Sequence, residues 1–167
     1  MADKSTFTPD EWKLIMESVM AAGMAVSAAE PSGLFGLLRE GFASSSTLVQ
    51  AKMDPSTNPL IKTAVADFDT SQGRSIVRDG LKEKLAGSSQ TGEIKSKCIQ
   101  ILQQAGAVLD AKAPADAAAF KGWLQLIAQH VAEAASEGGL LGFGGVKVSD
   151  AEKATLAEIS SALKLAA

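Results

Sequence analysis

Apolar residues recur at steps of three and four along most of the chain, which is the spacing of one face of an α-helix. The clearest repeat lies between Pro114 and Glu137 and consists of Phe120, Trp123, Leu124, Ile127, Val131 and Ala134. The side opposite this stripe is predicted to carry Lys121, Gln125, Gln129 and Ala132. Pro114 suits a first helical turn, and Gly138 with Gly139 suits a C-terminal cap. Residues 114–137 are therefore predicted to form one long helix.

A second long helix is predicted near the N-terminus, from Pro9 to about Glu30. Thr8 and Glu11 have the spacing of a capping box, which marks a helix start. Its apolar stripe consists of Trp12, Ile15, Val19, Ala22 and Val26. No charged residue occurs between Glu17 and Glu30, which favours burial on most sides. We therefore expect this helix and the 114–137 helix to lie at the centre of a bundle, with three methionines as core packing: Met16, Met20 and Met24.

Five further helices are predicted from shorter repeats of the same kind. Their apolar residues run from Leu34 to Phe42, from Leu60 to Phe68, from Ile76 to Leu85, from Ile94 to Leu109 and from Leu156 to Leu163. The first of these helices is expected to end in the polar run Ser44 to Thr47 or slightly later. Cap residues are predicted at three of their starts, namely Asn58, Thr91 and Ser149 with Glu152, and the segment 69–71 is predicted to begin the helix that contains Ile76. No alternation of β-branched residues indicates a strand. The sequence therefore predicts a single all-α domain over residues 1–167, a bundle of about seven helices.

An imperfect internal repeat relates residues 28–36 to residues 134–142. Both segments follow a long predicted helix that contains one tryptophan and an alanine-rich second half. Two copies of a helix–loop–helix unit, packed as pseudo-symmetric halves, would account for the repeat. A chance match between alanine-rich helices would account for it equally well.

Composition narrows the function classes. The net charge of −3 argues against nucleic acid as the main partner, because phosphate binding needs clustered positive charge. The uncharged stretch from Ser18 to Ala29 is too short to span a bilayer. Cys98 is the only cysteine, so no intrachain disulfide can form and a reducing, cytoplasmic location is expected. On an apolar helix face, Cys98 is predicted to be a small buried side chain.

The single histidine has two interpretations. Glu133 and Glu137 follow His130 by one and two helical turns, so the three residues form a candidate metal or acid–base site. Alternatively, His130 lies at the edge of the apolar stripe and only forms hydrogen bonds with its neighbours. The lack of a second histidine favours the second interpretation.

The glycine-rich segment 138–145 is predicted to be a loop, because five glycines in eight residues disfavour a helix. It lacks the spacing of a phosphate-binding loop, and Lys147 is followed by Val148 rather than by serine or threonine. Its apolar side chains are predicted either to insert into the bundle or to form an interaction loop for a partner or a membrane surface: Leu140, Leu141 and Phe143.

The C-terminal part of the chain resembles the TerB family of tellurite-resistance proteins. The residues that carry the resemblance are Glu137, Gly138, Val148, Ser149 and Glu152, with Glu30 as the matching acidic residue of the first half. The chain departs from the family pattern because Glu137 replaces an aspartate and a glycine-rich insertion precedes Val148. The resemblance implies an all-helical fold of two halves and a cytoplasmic, non-enzymatic stress-response or scaffold role. It also implies acidic residues that bind divalent cations.

Three hypotheses for function follow. The first is a TerB-like interaction domain that is not an enzyme, forms a homo-oligomer or binds another protein, and has no cofactor apart from a divalent cation. The second is a binder of an apolar ligand or a membrane surface, through the N-terminal helix and the glycine-rich loop. The third is a metal-dependent enzyme centred on His130 and Glu133. The candidate ligand-binding residues are Glu30, His130, Glu133, Glu137 and Glu152.

Overall fold

Helices follow one another closely along the chain, as the spacing of apolar residues predicted. A computed structural model describes residues 2–29, 46–137 and 148–165. Within these ranges the chain forms seven α-helices and one 3-10 turn and has no strand, which confirms the all-α prediction. The elements are the turn Lys4–Thr6 and the helices α1 Pro9–Ser27, α2 Ser46–Met53, α3 Pro59–Asp69, α4 Ser71–Lys84, α5 Thr91–Lys112, α6 Pro114–Glu137 and α7 Asp150–Ala162. None of these helices combines the length and apolar character needed to cross a membrane.

Both predicted capping boxes are confirmed. At the start of α1, the Thr8 hydroxyl accepts a hydrogen bond from the Glu11 amide, and the Glu11 carboxylate accepts one from the Thr8 amide. Ser149 and Glu152 make the same reciprocal pair at the start of α7. Each box satisfies two amide groups that the first helical turn leaves without partners, so the local sequence fixes where both helices begin.

The predictions for the other helix ends were partly correct. The Asn58 side chain caps α3 as expected. Helix α4 begins within the predicted segment 69–71, where the Thr70 side chain forms the cap. The predicted cap at Thr91 was wrong, because Thr91 is the first residue of α5 and Gln90 occupies the cap position without a side-chain hydrogen bond. Helix α1 ends at Ser27, slightly before the predicted end.

Helix α1 lies at the centre of the bundle, as predicted. It packs mainly against α5 and α6 and also contacts α4 and α7. Its buried residues face every direction around the helix axis: Trp12, Ile15, Met16, Glu17, Ser18, Val19, Ala21, Ala22, Gly23, Ala25, Val26 and Ser27. Met20 and Met24 are half-buried and pack against the core. A helix with no charge over its second half is thus covered by its neighbours on nearly all sides.

The prediction of a second fully shielded helix was wrong for α6. Its inner face is buried, with Phe120, Leu124 and Ile127 at 1% exposure or less. Its opposite face is exposed to solvent. Ala134, assigned to the inner stripe, is also exposed. Helix α6 is therefore an amphipathic outer helix whose outer face happens to be poor in charge.

The side assigned to two α6 residues was also wrong. Lys121 and Ala132 were expected on the outside, but Lys121 is 5% exposed and Ala132 is fully buried. The Lys121 ammonium lies 2.5 Å from the Asp110 carboxylate on α5, which compensates its charge. A lysine at the edge of an apolar face can bury its long apolar stem while its charged end reaches a partner.

Helix α2 was not predicted as a separate element. Three of its eight residues, Thr47, Leu48 and Ala51, are buried against the bundle. Val49 and Met53 point away and are 52% and 75% exposed. The helix predicted within Leu34 to Phe42 lies outside the described residues, as does most of the internal repeat, so the prediction of pseudo-symmetric halves stays a prediction.

Candidate functional site

His130 lies on α6 and connects it to α2. Its imidazole is half-buried, and the Nδ1 atom is 2.6 Å from the hydroxyl oxygen of Thr47, which is itself buried. Among the described residues, no group of three or more His, Cys, Asp and Glu side chains is arranged to hold a metal ion. The described neighbours of His130 therefore support a contact between helices rather than a metal centre.

The candidate acidic residues have separate environments. Glu133 is exposed and accepts a hydrogen bond of 3.1 Å from the Gln129 amide. Glu152 is 3% exposed, and its carboxylate is engaged in the capping box of α7. Glu137 ends α6, but its side chain lies outside the described residues, as does all of Glu30. The structure thus assigns Glu152 a role in helix capping and leaves ion binding by the other residues a prediction.

The proposed interaction loop contributes nothing to the described site. Leu140, Leu141 and Phe143 all lie outside the described residues. The other apolar element of the ligand or membrane hypothesis, α1, is buried inside the bundle, with Met16 at 3% exposure. Most of α1 is thus turned into the bundle, and the hypothesis of a binder of an apolar ligand or a membrane surface stays a prediction.

Cys98 is a structural side chain, as predicted. It is fully buried, and burial raises the pKa of its thiol to about 12, because the thiolate would lose its hydration. The thiol therefore stays protonated at neutral pH and is a poor nucleophile.

A buried ion pair between α1 and α4 was not foreseen. The Glu17 carboxylate is completely buried, and one of its oxygens accepts a hydrogen bond from the Lys84 ammonium. Its other oxygen, Oε1, has no hydrogen-bond partner in the structure. The carboxylate reaches this position because α4 has a glycine there: a Cβ atom on Gly80 would lie 2.0 Å from Oε1.

The exposed side of α6 forms a continuous surface without charge, here called the α6 outer face. It consists of Ala115, Ala118, Ala119, Gly122, Leu126 and Gln129. The fifteen residues from Ala115 to Gln129 span about 21 Å along the helix axis. Both charged residues in this stretch, Asp116 and Lys121, are buried instead. Because solvent-facing helix surfaces ordinarily carry charged and polar residues, an uncharged surface of this length is unusual.

Asp116 is held on the inner side by two hydrogen bonds of 2.8 Å. Its carboxylate accepts one from the backbone amide of Ala2 and one from the side-chain amide of Asn58. These bonds, that from Ala2 first, lower the pKa of the carboxyl below its ordinary value of 3.8. Asp116 thus fixes the N-terminal segment and the start of α3 to α6, and it leaves the outer face uncharged.

Gly122 is the most informative residue on the α6 outer face. Glycine in a helix interior costs roughly 1 kcal/mol relative to alanine. A Cβ atom built on Gly122 meets no atom of the described residues within 4 Å, so packing within the described part of the chain gives no reason for glycine there. By contrast, Gly73 and Gly80 are crowded by neighbouring atoms. The missing side chain at Gly122 allows another backbone to approach closely from outside.

In comparisons with known proteins, no family model, curated protein or solved structure matches the chain significantly.

Proposed function

We propose that this protein is a non-enzymatic helical interaction domain, of the kind that the TerB resemblance implies, and that it self-associates through the α6 outer face. The observation that carries the proposal is Gly122, an exposed glycine in the interior of a long helix with open space where a Cβ would lie. Two small residues on its N-terminal side, Ala118 and Ala119, and the partly exposed Leu126 one turn further on extend the surface on which a second helix can lie.

A second copy of the chain is the partner that this surface fits. In a two-fold symmetric contact the same patch meets itself, so any charge on the patch faces its own copy. Such like-charge contacts oppose association, and the α6 outer face has no charge to produce them. Two α6 helices that cross near Gly122 therefore approach without like-charge repulsion.

The expected dimer is weak. A single pair of helices in contact over about 21 Å buries much less than the roughly 1,600 Å² of a standard protein interface. We therefore expect a reversible, concentration-dependent dimer with a dissociation constant of about 1 μM or weaker.

Sedimentation equilibrium tests the proposal with a matched pair of variants. Ala119→Glu places a carboxylate on the α6 outer face, and Ala157→Glu makes the same change at an exposed alanine of α7. We expect the wild type and Ala157→Glu to dimerise equally and Ala119→Glu to be monomeric, with unchanged circular dichroism in all three. A wild type that remains monomeric at its highest soluble concentration contradicts the proposal, as does equal dimerisation of Ala119→Glu.

Divalent-cation binding is a separate part of the proposal and rests on the TerB resemblance alone. Titration calorimetry with Ca²⁺, Mg²⁺ and Zn²⁺ tests it, together with the shift of the melting temperature that a bound ion produces. If neither binding heat nor a shift of the melting temperature is measured, the ion-binding part of the proposal is refuted, and the proposed self-association is unaffected.

A further inference from the structure

Helix α2 bears the two most exposed large hydrophobic side chains among the described residues. Met53 is 75% exposed and Val49 is 52% exposed. They lie four positions apart and therefore share one side of this eight-residue helix, whose opposite side is buried. This pair is here called the α2 ridge. Two neighbouring apolar side chains that the described chain leaves in water make a candidate contact surface where they adjoin other uncharged surface.

The α2 ridge lies beside α6, near the level of Gly122. Thr47, at the start of α2, is 2.6 Å from His130 on α6. Asn58, which follows α2, donates a hydrogen bond of 2.8 Å to Asp116 in the first turn of α6. The chain from Thr47 to Asn58 therefore runs along α6 in the opposite direction. It passes Gly122, because that residue lies between Asp116 and His130.

Leu126 connects the α2 ridge to the α6 outer face. It is 39% exposed and lies on that face one helical turn before His130, the residue that contacts α2. Three of the four large exposed hydrophobic residues of the described chain thus lie on α2 and the adjoining part of α6, and the fourth, Ile76, lies on α4. Lys52, the only charged residue of α2, pairs with Asp69 on α3 at 2.6 Å. The α2 ridge and the α6 outer face therefore form one largely uncharged surface.

The symmetry of a dimer decides what the α2 ridge meets. A two-fold contact places the two α6 helices either parallel or antiparallel. Helix α2 lies on one side of the α6 outer face, and α7 lies on the other, where the Gln125 side chain donates a hydrogen bond to the Leu156 carbonyl. In a parallel pair, each α2 therefore lies opposite α7 of the second copy. In an antiparallel pair, both α2 helices lie on the same side of the α6 pair, so the two ridges meet each other.

The area that a dimer buries favours the antiparallel pair. Contact between two α6 helices alone falls well short of the roughly 1,600 Å² of a standard interface. Contact between two α2 ridges adds the apolar surface of four exposed side chains, and the removal of that surface from water stabilises the dimer.

We propose that a second copy of the chain docks antiparallel on the α6 outer face and that the α2 ridges of the two copies pack against each other beside the α6 pair. This arrangement rests on the proposed self-association and adds its geometry. Each copy contributes two helices. Met53 is the main contact of α2, because its side chain has the larger exposed fraction and adapts its shape to a partner.

Sedimentation equilibrium tests the role of the α2 ridge. Met53→Ser is expected to raise the dissociation constant of the dimer about tenfold, because an apolar contact is lost in both copies. Ile76→Ser is the matched control, since Ile76 is an exposed hydrophobic residue of α4, and this variant should dimerise like the wild type. Circular dichroism verifies that both variants are folded. Equal dissociation constants for Met53→Ser and Ile76→Ser overturn the inference, whereas the proposed self-association then still stands if Ala119→Glu is monomeric.

Cross-linking tests the antiparallel geometry. Ala115 and Gln129 lie seven residues before and after Gly122 on the α6 outer face, so in an antiparallel pair Ala115 of one copy lies near Gln129 of the other. With a short bismaleimide, a mixture of Ala115→Cys and Gln129→Cys should form covalent heterodimers, and each variant alone should form few covalent dimers. Cys98 is buried and does not compete. Cross-linking within each variant alone, with none added by mixing, overturns the inference. A wild type that remains monomeric overturns both this inference and the proposed self-association.

Discussion

The ion pair between Glu17 and Lys84 should make Lys84 far more important for stability than its exposed position suggests. Glu17 is fully buried in α1, whereas the Lys84 side chain on α4 is 38% exposed. Lys84 donates to one carboxylate oxygen, and the other oxygen already lacks a partner. Replacement of Lys84 with methionine therefore leaves a buried carboxylate with no hydrogen bond and no ion pair; the Lys13 side chain, whose Cε atom also packs against Gly80, lies nearby but does not pair with it.

The loss follows from the cost of an unpaired buried charge. Removal of one partner from a buried ion pair typically costs about 3–5 kcal/mol. Because Lys84 is partly exposed, water can enter where its ammonium was, and we expect the lower end of that range, about 3 kcal/mol. For a protein of this size, that loss corresponds to a decrease in melting temperature of roughly 6–12 °C.

Urea denaturation followed by circular dichroism measures this effect. Lys82→Met is the matched control, because Lys82 is an exposed lysine of the same helix and its loss should change stability by at most about 0.5 kcal/mol. The double variant Glu17→Leu/Lys84→Met removes both charges and should recover most of the lost stability. A loss below about 1 kcal/mol for Lys84→Met, or a double variant no more stable than Lys84→Met, would refute the reasoning.

Three further predictions concern single residues. Gly73→Ala should lower the free energy of unfolding by about 2 kcal/mol or more, because the added Cβ would lie 2.0 Å from a backbone carbonyl oxygen. The control Gly92→Ala adds a Cβ with no described atom within 4 Å, so it should be neutral or slightly stabilising. Both variants are measured in the same urea assay. Because hydrogen bonds to its carboxylate lower the folded-state pKa of Asp116, its contribution to stability is present above about pH 4 and is lost as the pH falls through that lowered pKa. Asp116→Asn should therefore be less stable at pH 7 and lose less stability on acidification, and parallel stability curves would argue against this. With a pKa of about 12, Cys98 should react with a thiol reagent at pH 8 only in urea, so rapid reaction of the folded protein would contradict its burial.

Local signals in the sequence determined the helix boundaries well, because a cap depends on residues three positions apart. Thr8 with Glu11 and Ser149 with Glu152 form the predicted boxes for that reason. Tertiary partners could not be predicted in the same way. Glu17 and Lys84 are 67 residues apart, and only the packing of α1 on α4 brings them together.

The contrast between α1 and α6 shows that a lack of charged residues in a helix sequence does not by itself predict that the helix is buried. Helix α1 has no charge over its second half and is buried on nearly all sides. Helix α6 looks similar in sequence, yet its charged Lys121 is buried while Ala118, Ala119 and Ala134 are exposed. Alanine and a long-stemmed lysine are compatible with either side of a helix, so their positions follow from neighbours that the sequence does not reveal.

The approach of two Gly122 residues across the proposed dimer is tested most directly by disulfide formation in Gly122→Cys. Cys98 is buried and does not compete, and Gly92→Cys is an exposed control on α5. Because a disulfide requires Cβ atoms about 3.5–4.5 Å apart, mild oxidation should convert Gly122→Cys efficiently to a covalent dimer and leave Gly92→Cys mostly monomeric. Equal yields from the two variants, or no covalent dimer of Gly122→Cys at concentrations where the wild type associates, would contradict the account.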